Sequence, residues 1–288
     1  MMITLDDIVK ELEATGNVDI IRNKYIQLIG NYRDRNVICY YSGWLKQKQS
    51  LNYSISDMDL NGIVNATNNL DTSKGLDIIL HTPGGDPTAT EAIVKFLRDK
   101  FNDIQVIVPH MAMSAGTMLS CSANKIYMSA HSSLGPIDPQ FSGIPAYDIK
   151  KEFETAKREM TKNPSSAQYW QTIISKYPHA FYNIVCDAIK LSTELAYSWL
   201  YQYMFDGKNK KTAENITKKL NSNNKSHAKH FNYTDCQSIG LNVEKIENDS
   251  QLYDLVIALH YTLTLTFQIT DCSKIICNNK GNTYIVNN

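Results

Sequence analysis

HTPGGDPTATEAIVKFLRDK, residues 81–100, follows directly on an apolar run from Leu76 to Leu80. The run reads as a buried strand. Gly84 and Gly85 then reverse the chain, Asp86 stands where a helix N-cap belongs, and Pro87 suits a first helical turn. Ala89, Ala92, Ile93, Phe96 and Leu97 recur at helical spacing, so Thr88–Phe101 is predicted as the clearest helix in the chain. PHMAMSAGTML, residues 109–119, repeats the arrangement after a second apolar run, Ile104 to Val108, and sets Ser114 just ahead of Ala115 and Gly116. The first turn offers backbone N–H groups with no Cβ in the way, and the second offers a hydroxyl. Brought together, they would supply the nucleophile and the oxyanion donors of acyl transfer.

The pattern extends on both sides. Residues 5–14 and 19–33 have helical periodicity, RNVICYYSG (35–43) reads as a strand, and a helix is predicted from near Asp57 or Asp59. With a helix at 115–123 and a short strand at 125–128, strands and helices alternate from 35 to 129, the signature of parallel βα units. SSLGPIDPQFSGIP (132–145) is turn-rich. Beyond it, 146–161, 166–176, 180–205 and 209–220 read as helices, and TDCQSIGL (234–241) as a helix closed by Gly240. Residues 252–267 are mixed: helical to His260, then ambiguous through TLTLTF, where β-branched residues alternate. The expected organisation is a helical arm (1–34), a core (35–145) and a helical portion (146–288) completing the same domain.

The 288 residues carry 29 basic and 29 acidic side chains, which argues against a nucleic-acid footprint. Six cysteines are scattered without a CxxC, so no zinc ribbon or redox motif is expected. Cys39, Cys121 and Cys186 sit in apolar stretches and read as buried thiols of a cytoplasmic protein. The N-terminus lacks the basic-then-apolar pattern of a signal peptide, and no stretch of eighteen apolar residues occurs, so no integral membrane segment is expected.

LHTPGG, then VPH-MAMSAGT, then SLGPIDPQ, in that order and spacing, resemble the serine dehydrogenase proteinase family, related to signal peptide peptidase A and more distantly to the ClpP protease. Three co-linear motifs are far more specific than any one of them. The strong resemblance covers 35–145. Weaker likenesses follow: Asp187 with Lys190 on one helix, Ser226-His227 in a loop, and Ile239-Gly240-Leu241 at a helix end. Departures are Ser-Ala-Gly where the family usually has Ser-Gly-Gly, Met111 where an aromatic often stands, an apparent insertion at 161–180, and the lack of an N-terminal membrane helix. The resemblance implies an α/β fold of ClpP/crotonase type, a repeated ββα spiral core with added helices at both ends. It also implies a homo-oligomer that takes a peptide or protein substrate and needs no cofactor.

On this reading Ser114 is the nucleophile, although taken alone it would be an N-cap serine. Gly84, Gly85 and Ala115 form the oxyanion hole, with the Gly85 and Ala115 amides as donors. Lys190 is the base of a Ser–Lys dyad, and Lys150, Lys151 and Lys157 are alternatives. A histidine base is the competing arrangement. His131 follows Ser114 too closely for it, and His81 and His110 read as structural groups at strand ends. Pro136 and Asp138 are expected to shape the substrate groove, and Tyr169, Trp170, Trp199 and the tyrosines of 197–203 to roof it or meet a neighbouring subunit. His227 and His230 read as loop histidines rather than metal ligands. The alternatives in other functional classes are a crotonase-type enzyme acting on an acyl-thioester and a catalytically silent oligomeric scaffold.

Overall fold

A computed structural model describes residues 3–46, 51–221 and 229–287. Seven strands form its main sheet: β1 (Asn36–Ser42), β2 (Leu76–His81), β3 (Ile104–Val108), β4 (Lys125–Met128), β5 (Val243–Lys245), β6 (Cys272–Asn278) and β7 (Thr283–Asn287), in the order β7-β6-β1-β2-β3-β4-β5. Strands β1 to β5 are mutually parallel, β6 lies antiparallel to β1, and β7 antiparallel to β6. Every residue of β1 and β2 is buried, because helices cover both faces; this is why their sequences read as continuous apolar runs.

Strand alternation divides the core in two. Ile38, Tyr40, Ile78, Leu80 and Val106 face one way, Val37, Cys39, Tyr41, Ile79 and Ile107 the other. The first face packs against α3 (Met58–Thr67), α4 (Pro87–Lys100) and α5 (Ala115–Cys121), the crossover helices of the parallel strands. The second is covered by α1 (Leu5–Thr15), α2 (Val18–Arg33) and α11 (Ser250–Ile269). Between them in the chain come α6 (Ala146–Lys162), α7 (Ala167–Ile174), α8 (Phe181–Trp199), α9 (Lys210–Asn221) and α10 (Tyr233–Ile239). Helices α6 and α8 share a small apolar cluster of Ala146, Ile149, Val185 and Ile189 and cap the first face. Trp199 enters the main core of its own chain, while Tyr169 stays exposed.

Two expectations change. The segment through TLTLTF is one helix with what precedes it, α11. Thr262, Thr264 and Thr266 each donate their hydroxyl to the carbonyl four residues back, all at 2.8 Å, which satisfies side chains whose branching favours a strand. By length and composition this helix could cross a membrane, but half of the qualifying stretch is buried inside the fold. Nor is the portion after 146 only helical: β5, β6 and β7 return to the sheet, the last two as a hairpin at the edge beside β1. The structure is thus a mixed α/β fold around a mostly parallel sheet.

Candidate active site

The two reversals of the chain meet in space. Beyond β2, the Thr82 N–H donates to the Met111 carbonyl and the Met113 N–H to the Thr82 carbonyl, both at 3.0 Å. The turns are therefore zipped together one residue past the sheet. Gly84 has φ +97° and its N–H donates to Thr82 Oγ1 at 3.1 Å. A Cβ on Gly84 would lie 2.6 Å from the Met113 carbonyl oxygen and 2.7 Å from Ser114 Cβ, so only glycine allows this approach. Gly85 is pressed against Ile55, whose N–H donates to the Gly84 carbonyl at 2.7 Å and whose carbonyl accepts from the Asp86 N–H at 2.9 Å. Asp86 and Pro87 start α4 as the sequence indicates, the carboxylate accepting from the amides of Thr88 and Ala89. Among the described residues, the amides of Gly85 and Ala115 donate no hydrogen bond, the latter because it opens a helix.

Ser114 has φ +50° and ψ −116°, a conformation that costs a non-glycine residue on the order of 1–3 kcal/mol. Its hydroxyl makes no capping bond to α5, so the N-cap role is not the one it plays. It lines a cleft of about 400 Å³ together with Gly85, Met118, Phe141, Ala188 and Leu191. The Gly84 amide, already held by Thr82, is not free to serve an oxyanion; this glycine acts by leaving space.

The third motif is tied to the same turn. Thr117 Oγ1 donates to the Ala112 carbonyl at 2.8 Å and accepts from the Gly135 N–H at 2.9 Å. Its groove residues are not those expected. Ile137, Pro139 and Phe141 line the cleft, whereas Pro136 and Asp138 are buried outside its lining. Asp138 accepts from Gln140 Nε2 at 2.8 Å. The cleft is thus met by Ile137 and by the run Pro139, Gln140 and Phe141.

No Asp, Glu, His, Lys or Arg lines the cleft among the described residues. Lys190 is on α8, 71 % exposed, and its ammonium lies 3.9 Å from Glu194. The helix instead turns Ala188 and Leu191 to the cleft, which places Lys190 well round its circumference. Lys150 is half-buried and lies 3.8 Å from Glu154, Lys151 is exposed, and Lys157 borders a separate hollow with Ile174 and Tyr182.

The histidines lie elsewhere. His81, His110 and His260 line a cavity of about 190 Å³ with Tyr41 and Phe267 on the α11 face of the sheet. The His81 and His110 rings stack at 5.5 Å, and each meets His260, at 6.1 and 5.7 Å. His81 Nδ1 accepts from the Met111 N–H at 3.3 Å, and His260 Nδ1 is 2.5 Å from the Tyr41 hydroxyl. Desolvation, with repulsion among the rings, holds His81 well below its ordinary range, lowers His110, and brings His260 to about 3. His131 is 3.2 Å from Ser129 Oγ and His230 is 2.8 Å from Ser133 Oγ; neither lines the cleft. Ser226-His227 lies outside the described residues.

The profile of the ClpP-like SDH-type serine proteinases matches residues 20–264. The chain belongs to this family. Two uncharacterized proteins of Methanocaldococcus jannaschii are each 30% identical to it, over 171 and 168 residues, or 59% and 58% of this chain and 54% and 51% of theirs. The chain thus spans about half the length of the curated relatives it matches. Two solved structures of mutants of the 1510-N membrane-bound stomatin-specific protease, one in complex with a substrate peptide, superpose with TM-scores of 0.39 and 0.38 at 17% identity. Each alignment covers 69% of this chain and 78% or 74% of the solved one.

Within this member of the SDH-type proteinase family, sequence reading misses the supports of the turn. Thr82 sits inside the quoted motif but acts through a hydroxyl bond back to Gly84. Ile55 comes from a segment with no motif at all. Behind it stand Asp59 and Lys274, both buried. Lys274 could have been noticed, as a charge in the middle of the otherwise uncharged run CSKIICN.

Proposed function

We propose that this SDH-type proteinase cleaves peptide bonds through an acyl-enzyme on Ser114. The observation that carries the reading is the strained serine whose hydroxyl makes no capping bond, set against Gly84 and followed by an amide that donates no hydrogen bond among the described residues. The Ser114 oxygen attacks the scissile carbonyl, and the oxyanion takes the Gly85 and Ala115 amides as donors. The apolar walls of Met118, Phe141 and Leu191 favour an apolar substrate side chain next to the cleaved bond. Since no Asp, Glu, His, Lys or Arg lines the cleft among the described residues, the proton acceptor on this reading comes from outside that lining. We take it to be a lysine of the helical cap, Lys190 first and Lys150, Lys151 or Lys157 after it, brought in by movement of α6 and α8 or from a neighbouring copy of the chain in a homo-oligomer. The six unpaired thiols suit a reducing, cytoplasmic setting.

The test is hydrolysis of a peptide library by wild type, Ser114→Ala and single alanine variants of the four lysines, with fluorophosphonate labelling in parallel. Loss of cleavage in Ser114→Ala and in one lysine variant is expected. Cleavage that survives Ser114→Ala sinks the proposal. Coenzyme A binding without cleavage would point to acyl-thioester chemistry, and a stable oligomer with neither would point to a scaffold.

A further inference from the structure

We propose that Lys274 and Asp59 are a buried positioning pair for the oxyanion hole, acting through Ile55 on the Gly85 amide. The inference rests on the peptidase reading of the Ser114 cleft. Lys274 is on β6, beyond residues 20–264, and is 2 % exposed. Its ammonium donates to both carboxylate oxygens of Asp59 and to the Ser54 carbonyl, each at 2.8 Å. Asp59, at the start of α3, also accepts from the Ser56 N–H at 2.8 Å and the Tyr40 hydroxyl at 2.9 Å. The pair therefore grips the main chain on both sides of Ile55.

Ile55 in turn holds the turn of the hole. Its N–H and carbonyl bind the residues flanking Gly85, and a Cβ on Gly85 would meet both Ile55 N and Ile55 O at 2.3 Å. Ion pair, segment 54–56 and glycine turn are thus in series. Movement of the pair would shift the direction of the Gly85 N–H, while Ser114 and Ala115, zipped to Thr82 through Met113, would stay. Desolvation lowers Lys274 from its ordinary range, and Asp59 opposes that shift. A buried ion pair is replaceable by apolar residues with little loss of stability, and sometimes with a gain. What apolar residues cannot do is bind the Ser54 carbonyl and the Ser56 amide. Stability and positioning are separable here for that reason.

The experiment compares wild type, the paired variant Asp59→Leu with Lys274→Met, and the mild variant Tyr40→Phe. Denaturant midpoint, amide hydrogen exchange over residues 53–90, and kcat and KM for a cleaved peptide are measured. For the paired variant, exchange at the Ile55 and Asp86 amides should rise about tenfold or more beyond any rise at core amides that a lower midpoint brings. Its kcat should fall about tenfold or more while KM holds within about twofold, since a misplaced oxyanion donor is felt in the transition state. Tyr40→Phe should move both readouts the same way by a smaller factor, and it decides the matter if the paired variant does not fold. Unchanged exchange and unchanged kcat in a folded variant overturn the inference, as does a fall in activity that only tracks lost stability. If wild type shows no Ser114-dependent cleavage, the peptidase reading falls, and the exchange data still judge whether the pair holds the Gly85 turn.

Discussion

Two hollows lie on opposite faces of the sheet, where β2 and β3 end, and the same two segments build both. The one beneath α8 is lined by Ser114, Gly85 and apolar walls, with no Asp, Glu, His, Lys or Arg in its lining among the described residues. The one beneath α11 is lined by three packed histidines and Tyr41. Neighbours in sequence are divided between them because successive side chains of a strand point to opposite faces. Leu80 packs on one side and His81 on the other. An imidazole on the α11 face reaches Ser114 only through the sheet, so proximity in sequence of His81 and His110 to the turns says nothing about catalysis. The three clustered histidines thus lie on the face away from the cleft, and the lysines of α6 and α8 on the same side as it.

The largest test of this division is Gly85→Val. A side chain there meets the Ile55 backbone and would displace the proposed oxyanion donor, so peptide cleavage should fall by about 100-fold or more with Ser114 intact. Cleavage near the wild-type rate would place the hole elsewhere. Next comes pH. The histidines of the α11 side titrate lower in the folded chain than in the unfolded one, so their contribution is fully present above the unfolded value of about 6.5 and is lost as pH falls towards their folded values, about 3 for His260. Denaturant midpoints should therefore drop between pH 7 and pH 5, above the range where most carboxylates titrate, and His260→Gln should flatten the drop. A flat wild-type profile would mean the rings are not held neutral.

His110→Gln sharpens the comparison from the other side. It should leave kcat/KM within about threefold, because the ring lies outside the cleft; a collapse of turnover would return histidine as the base. The smallest effect expected is on stability in Lys190→Ala. The exposed ammonium makes an i,i+4 contact with Glu194 at 3.9 Å, so Tm should stay within about 1 °C of wild type. Loss of cleavage without loss of Tm would then assign Lys190 to chemistry rather than to structure.

Much of the framework is legible in residues 35–129, where apolar runs and turns follow local rules. Asp86 caps α4, Pro87 starts it, and glycines stand where φ is positive or space is absent. The serine and its partner turn were readable for the same reason. Which residues of 136–141 line the cleft was not legible, because it is settled by the hold of α5 on Gly135 and of α9 on Ile137, not by local preference. The α11 helix was half-read, because threonines favour strands until their hydroxyls find carbonyls within the turn.

The amino-acid sequence by itself determined that strand, glycine turn and helix recur twice, that Ser114 heads the second helix, and that the chain carries the motifs of the SDH-type proteinases. These are local or co-linear features, and short-range sterics and capping are enough to specify them. Only the tertiary structure decided that Lys190 faces away from the cleft, that the histidines gather behind the sheet, and that Lys274 reaches across more than two hundred residues to Asp59. Those outcomes depend on which face of a helix is buried and which distant strands become neighbours, and no local pattern of residues encodes them.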